Sequence, residues 1–96
     1  MKSVWKFPFS VGVDFTIDMP IGSEIIHVAS QHETPCLWAI IDADRTEEGS
    51  NTRTFSVFGT GHIIYGDALK YCGTFFLLGG SFIGHLFEDV DANNRA

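Results

Sequence analysis

The feature that most constrains this chain is a series of short runs in which apolar and polar residues alternate, separated by turns that contain glycine or proline. Alternation with a period of two places every second side chain on one face, which is typical of a half-buried β-strand. The first run places Trp5, Phe7 and Phe9 on one face, and Pro8 indicates an edge strand because proline donates no ladder hydrogen bond. No segment has the spacing of an amphipathic helix. The sequence predicts an all-β chain.

About seven short strand candidates, some alternating and others rich in apolar or β-branched residues, follow one another at the spacing that is typical of a small sandwich or barrel. They cover residues 4–9, 15–19, 24–31, 35–42, 54–58, 71–78 and 81–88. We expect hairpins between the first two runs, between the third and fourth, and between the last two, where Gly79-Gly80 supplies the positive φ angles of a tight turn. The run at 36–41 is apolar on both faces, which indicates a central strand. The prediction is one all-β domain over residues 1–88, barrel-like or a sandwich, of about five to seven short antiparallel strands.

Two polar segments have no apolar residues to anchor them. Residues 44–52 are charged and contain glycine and serine, which predicts a mobile surface loop. Residues 89–96 predict a flexible acidic C-terminal tail. Within the strands, Gly73 and Gly84 predict a bulge or a close approach of neighbouring groups.

The charge of the chain restricts its partners. Twelve acidic residues against six basic ones give a net charge of -6, which repels a phosphate backbone and argues against direct nucleic-acid binding. A protein with a basic surface suits this charge better. The residues predicted to form an acidic partner-binding face are Asp42, Asp44, Glu47, Glu48 and Glu88. Reversing Glu47 and Glu48 to lysine is then predicted to weaken binding.

The cysteines and the apolar segments bear on location. Cys36 and Cys72 lie inside apolar runs, which predicts buried, reduced thiols. The N-terminus lacks the apolar core of a signal peptide, and the longest apolar stretch, residues 75–84, is about half of a membrane span and is broken by glycines. We therefore expect a cytoplasmic protein that does not bind membranes.

The segment Gly59-Thr60-Gly61-His62 is the strongest suggestion of a ligand site. Two glycines around a threonine allow successive backbone N–H groups to converge on an anion, with the Thr60 hydroxyl and His62 as further donors. Under this hypothesis the segment holds the phosphate of a nucleotide, and Tyr65 or Trp38 stacks on the base. The alternative is that the glycines only allow a bend after a strand. Because neither a helix nor a lysine follows, the segment is not a P-loop.

Metal binding and catalysis have less support. The possible zinc ligands are His27, His62, His85, Cys36 and Cys72, and none shows the close spacing of known zinc motifs. Buried thiols are poor nucleophiles, and the carboxylate pairs lie on loops and in the tail, where they have no defined acid–base geometry. We predict a protein that is not an enzyme and has no metal or cofactor.

Several local strings resemble a family of short proteins that are carried mostly by bacteriophages and prophages and have no established function. The strings are Val4–Pro8, Met19–Val28, Pro35–Ala39, Phe58–His62, Tyr71–Phe75, Gly79-Gly80 and His85–Glu88. They cover most of the chain in the expected order. The resemblance implies a phage origin but no activity.

Taken together, these observations predict a phage-encoded, non-enzymatic binding module in the host cell cytoplasm that occupies or inhibits a host protein, as host-takeover and anti-defence proteins do. One alternative is a protein that binds and sequesters a nucleotide or another anion. A second alternative is a minor phage protein with a structural role. Self-association into a homodimer stays open.

Overall fold

Seven antiparallel strands form two sheets that pack face to face in the computed structural model, which describes residues 1–93. Sheet A has the strand order β1-β4-β3, and sheet B has the order β2-β5-β7-β6. The strands are β1 Lys2–Pro8, β2 Phe15–Pro20, β3 Glu24–Gln31, β4 Thr34–Asp42, β5 Ser50–Gly59, β6 Leu69–Leu77 and β7 Phe82–Asp89. The predicted β fold is confirmed as a sandwich of three and four strands, not a closed barrel.

The end of the chain continues past the last strand. A short helix, α1 (Val90–Asn93), follows β7 directly. The remaining residues of the predicted tail, 94–96, lie outside the described residues.

The core lies between the two sheets and is built from the inward-facing positions of their strands. Alternation explains its composition, because every second residue of a strand faces the opposite sheet. Its fully buried large side chains, which belong to one apolar cluster, are Met19, Leu37, Phe55, Phe75 and Leu86. Burying each of the large apolar side chains contributes roughly 1.5–3 kcal/mol. The prediction that residues 36–41 form a central strand is confirmed, since β4 lies between β1 and β3.

The predicted hairpin between the first two strands is wrong. Strand β1 pairs with β4, and β2 pairs with β5 in the other sheet. The rings of Phe9 and Phe15 stack at a centroid distance of 5.4 Å. The chain thus crosses from sheet A to sheet B between these residues, so that both rings enter the same core.

The other two predicted hairpins are present. Strands β3 and β4 are joined by a two-residue turn, in which His32 and Glu33 both have positive φ angles, 51° and 62°. Strands β6 and β7 are paired as predicted, but their connection has four residues, from Leu78 to Ser81. The turn is closed by a hydrogen bond from the Ser81 N–H to the Leu78 carbonyl oxygen, 3.1 Å.

The prediction that residues 44–52 form a loop is wrong over much of their length, although they lie on the surface as predicted. Residues Ala43–Glu48 form a 3₁₀ helix, which the Asp42 side chain caps by accepting a hydrogen bond from the Asp44 N–H. Gly49 then turns the chain at a φ of 99°, and β5 begins at Ser50. The first residues of β5 are polar because they pair with β2 at the end of the sheet, so apolar patterning does not reveal them.

The two strand glycines behave as predicted. The register of β6 against β7 shifts between Tyr71 and Gly73, which is a β-bulge. A Cβ atom at Gly73 would lie 2.6 Å from the Cβ of Val28, and one at Gly84 would lie 2.5 Å from Cζ of Phe75. Only glycine allows these close approaches.

Candidate functional site

The outward surface of sheet B carries a cluster of aromatic side chains that we call the aromatic face. It comprises Phe58, Tyr65, Tyr71, Phe76, His85 and Phe87 with the hydroxyls of Thr60 and Thr74. Phe58 points away from the core, yet it is only 4% exposed. The loop that follows β5 folds back over the sheet and places the Tyr65 ring on Phe58, with a centroid distance of 5.4 Å.

Four of these rings form a continuous row across the sheet. The row runs from Tyr65 to Phe58, then to Phe87 at 5.9 Å, and then to Tyr71 at 5.6 Å. All three contacts have interplanar angles between 63° and 84°, the edge-to-face geometry that aromatic quadrupoles favour. The row therefore joins the loop, β5, β7 and β6 into one surface.

A chain of polar contacts runs beside the rings. The Nε2 atom of His85 lies 2.9 Å from the Thr60 hydroxyl, and its Nδ1 atom lies 3.0 Å from the Thr74 hydroxyl. The Thr74 hydroxyl in turn lies 2.5 Å from the hydroxyl of Tyr71. Because both ring nitrogens of His85 are engaged, the orientation of its imidazole is fixed.

The segment Gly59–His62, predicted as an anion site, forms a tight turn. The Gly59 N–H donates to Nδ1 of His62 (3.1 Å), and the His62 N–H donates to the Gly59 carbonyl oxygen (3.0 Å). Gly61 has a φ of 87°, which suits a glycine in such a turn. The Gly59 N–H is thus already used within the turn. The geometry therefore favours the alternative in which the glycines allow a bend over the one in which they form an anion site. Its effect is to bring Thr60 and Tyr65 onto the aromatic face.

Sequence reasoning missed most of the aromatic face. It identified Thr60 and Tyr65 but not the strand residues that they contact. His85 was considered only as a zinc ligand, and the residues that were missed altogether are Phe58, Tyr71, Thr74, Phe76 and Phe87. Alternation in the strands at 54–58, 71–78 and 81–88 indicates which of them share a side of each strand. Only the strand order shows that the three sets lie next to one another.

The loop beside the aromatic face exposes three consecutive apolar residues. Ile63, Ile64 and Tyr65 are 83%, 50% and 60% exposed. On the sheet itself, Tyr71 and Phe76 are 55% and 54% exposed. Lysine and arginine residues of the described chain lie elsewhere: on β1, in the 3₁₀ helix, or on inward-facing positions at the end of sheet B. They are Lys2, Lys6, Arg45, Arg53 and Lys70.

The whole chain, residues 1–96, matches the family model described as Domain of unknown function (DUF7352). The chain belongs to this family. The match confirms the predicted membership of a family whose function is not established, and it carries no statement about a phage origin. No curated protein and no solved structure gives a significant match.

The five predicted acidic residues of this DUF7352 member do not form one group. Asp42 and Asp44 bind the N-terminal ammonium of Met1. The pKa of Asp42 is lowered, first by the hydrogen bond from the Asp44 N–H and then by the positive N-terminus. Glu48 pairs with Arg45 at 2.9 Å, a hydrogen bond that lowers the pKa of its carboxyl group.

Glu47 and Glu88 have opposite environments. Glu47 is exposed on the 3₁₀ helix and makes no ion pair with any described residue. Glu88 is only 4% exposed and forms an ion pair with Arg53 at 2.6 Å. Its carboxylate therefore does not contribute to an acidic surface, and the predicted face reduces to the group around the 3₁₀ helix.

The residues weighed for zinc are dispersed in the described chain. His27 lies beside Trp38 on sheet A, whereas His85 lies on the aromatic face. Over residues 1–93, no group of three or more His, Cys, Asp or Glu residues is arranged to hold a metal ion. Cys36 is buried and Cys72 is partly buried, and both are free thiols. Burial, with help from the negative charge of Glu88, raises the pKa of Cys72 to about 11.

The described part of the chain has no helix that is long and apolar enough to cross a membrane.

Proposed function

We propose that this protein is a non-enzymatic binding module that docks on another protein through the aromatic face and the adjoining residues 63–65. The observation that carries the proposal is the exposed run Ile63-Ile64-Tyr65 beside the exposed rings of Tyr71 and Phe76. Consecutive exposed apolar residues lower solubility and are kept mainly where they serve an interaction. Tyrosine and phenylalanine are also enriched in the centres of protein interfaces.

The charge around the aromatic face indicates the chemistry of the partner. Asp67 follows Tyr65 in the loop, and Asp89 lies on β7 two residues beyond Phe87. With these carboxylates at its border and a net charge of -6 on the chain, the face suits an apolar contact site that is surrounded by lysine or arginine. Binding should then become slower as salt is added, because salt screens the attraction between the two proteins.

The resemblance of the sequence strings to phage proteins supports a finer version of this proposal. In it, a bacteriophage encodes the protein, and the partner is a host protein in the host cytoplasm. Occupying that protein would inhibit it, as an anti-defence or host-takeover factor does. This version predicts that the partner is found in bacterial lysate and not among phage proteins.

The test compares two pairs of substitutions at exposed apolar residues. Ile63→Gln with Phe76→Gln changes the aromatic face and its loop, whereas Val4→Gln with Val11→Gln is the matched control on β1 and the loop after it. Each protein is used to capture partners from bacterial lysate. A protein retained by the wild type and by the control is then purified, and its affinity is measured by calorimetry.

We expect the aromatic-face variant to bind this partner at least about tenfold more weakly, because buried aromatic anchors dominate interface energies. Equal affinity of all three proteins for the purified partner would overturn the proposal. A charge reversal, Glu47→Lys with Glu48→Lys, separates the two candidate surfaces. If only this variant loses the partner, the acidic group around the 3₁₀ helix is the docking surface and the aromatic face is not.

Self-association is checked on the same proteins by sedimentation equilibrium. The wild type could be a dimer that becomes a monomer in the aromatic-face variant, while no other partner depends on this face. The face would then bind a second copy of the chain. That result would also contradict the proposal.

A further inference from the structure

Charged side chains occupy inward-facing positions at one end of sheet B. Arg53 lies two residues before Phe55 on β5, and Glu88 lies two residues after Leu86 on β7. Phe55 and Leu86 are fully buried in the core. Lys70 on β6 is the cross-strand partner of Glu88. The alternation that fills the core with apolar groups thus ends in a cluster of charges.

The Arg53 guanidinium is held in one orientation by its neighbours. Its Nε and Nη2 atoms donate to the two carboxylate oxygens of Glu88, at 2.6 and 2.7 Å, and its Nη1 donates to the Ser23 carbonyl oxygen at 2.8 Å. A guanidinium has five N–H groups, so two remain for another acceptor. A buried ion pair contributes little to stability compared with apolar residues of the same volume. Folding alone therefore does not account for these charges.

The charged cluster borders an open cleft of about 630 Å³ between the strand ends. Besides Arg53, Lys70 and Glu88, the cleft is lined by Ser23 and by residues 50–52, which are serine, asparagine and threonine. Two cations and one carboxylate give this lining a net charge of +1, in a chain whose net charge is -6. The cleft is thus a locally positive place with many hydrogen-bonding groups and few apolar ones.

We infer that this cleft binds a small anion that carries several hydroxyl groups, either a sugar phosphate or a sugar acid. Lys70 and the two remaining N–H groups of Arg53 would hold the phosphate or carboxylate, because hydrogen bonds between ions are the strongest that side chains make. The side chain of Asn51, which alternation places on the same side of β5 as Arg53, would bind the hydroxyl groups. The volume is within the range of small-molecule sites. This inference is independent of the aromatic face and goes beyond the proposed function.

The test follows backbone amide signals of the ¹⁵N-labelled full chain during titration. The probes are ribose 5-phosphate, gluconate, inorganic phosphate and, as the neutral control, ribose. We expect saturable shifts at residues 50–53 and 70 with ribose 5-phosphate, with gluconate or with both, and the pair of probes shows which anionic group is preferred. Inorganic phosphate should bind more weakly and ribose should cause no shift.

Two lysine variants show whether the site or the overall charge is responsible. Lys70→Gln should weaken binding about tenfold, the effect of one charge-assisted hydrogen bond. Lys2→Gln, which removes the same charge from β1, should leave the affinity unchanged. Lys70 is exposed, so its substitution should leave the spectrum of the folded chain intact.

The absence of saturable shifts with both anions, or an equal loss of affinity in the two variants, would overturn the inference. The Ile63→Gln and Phe76→Gln variant should titrate like the wild type, which keeps this test separate from that of the aromatic face.

Discussion

The centre and the end of the inner face of sheet B share one backbone pattern but have opposite chemistry. At the centre, Phe55, Phe75 and Leu86 are at most 1% exposed and belong to the apolar core cluster. At the end, the next inward positions on β5 and β7 are Arg53 and Glu88. Both sets of positions face the opposite sheet, so burial alone does not decide which residues occupy them.

The difference separates what stabilises the fold from what suits it for binding. Apolar burial at the centre contributes to the free energy of folding in proportion to area. At the end, an ion pair must first lose its hydration, and the attraction between the charges only roughly compensates for that loss. The three predictions below test this contrast, from the largest expected effect to the smallest.

Truncating a ring at the centre should have the largest effect. Phe75→Ala removes a side chain that packs edge-to-face on Phe9 and lies against Gly84, and should lower the free energy of unfolding by about 3–5 kcal/mol. Urea denaturation measures this change. Phe76→Ala is the matched control, because Phe76 is the adjacent residue but points outward and is 54% exposed. A loss in the control as large as that in Phe75→Ala would contradict the assignment of the core.

Breaking the ion pair at the end should have an intermediate effect. Glu88→Gln keeps the shape of the side chain but leaves the Arg53 charge without its carboxylate, and should cost about 2–3 kcal/mol, measured in the same way. The double variant Arg53→Met with Glu88→Leu should regain most of this stability, since it removes both charges. If the double variant is instead the less stable of the two, the ion pair stabilises the fold strongly and the contrast between centre and end fails.

Cys72 lies at the boundary between the two regions and should have the smallest effect. The pKa of its thiol is raised from 9.0 to about 11, mainly by burial. Between these pH values the unfolded chain loses the thiol proton while the folded chain keeps it, so the free energy of unfolding falls as pH rises. Because the thiol is partly exposed, we expect this loss to be only about 1–2 kcal/mol.

The measurement for Cys72 is urea denaturation below pH 9 and near pH 11. Comparison with Cys72→Ala isolates the thiol from tyrosines and lysines that titrate in the same range. The stability of the variant should fall less steeply with pH. Parallel pH profiles would mean that the thiol is solvated as in the unfolded chain.

Much of the fold was visible in the sequence, because neighbouring residues decide whether a segment forms a strand and which side of the strand is apolar. Alternation in the first two strands, apolar and β-branched runs in the others and the turn residues between them located the seven strands, and the apolar run 36–41 indicated the central strand of sheet A. Gly73 and Gly84 marked the bulge and the close approach to Phe75. The turn at Gly59–His62 was one of two interpretations open from the sequence, because glycine permits a bend after a strand and also allows backbone N–H groups to converge on an anion.

The arrangement of these elements was decided only in the tertiary structure. A period of two tells which side of a strand is buried, but not which strand lies beside it or in which sheet. The first two strands therefore joined different sheets instead of forming a hairpin. For the same reason, the contact of Thr60 with His85 and that of Arg53 with Glu88 join residues 25 and 35 positions apart that no local pattern relates. The sequence by itself determined a small β domain with an apolar interior and an acidic balance. Only strand pairing, which is set by long-range hydrogen bonds and core packing, assembled the aromatic face and the charged cleft.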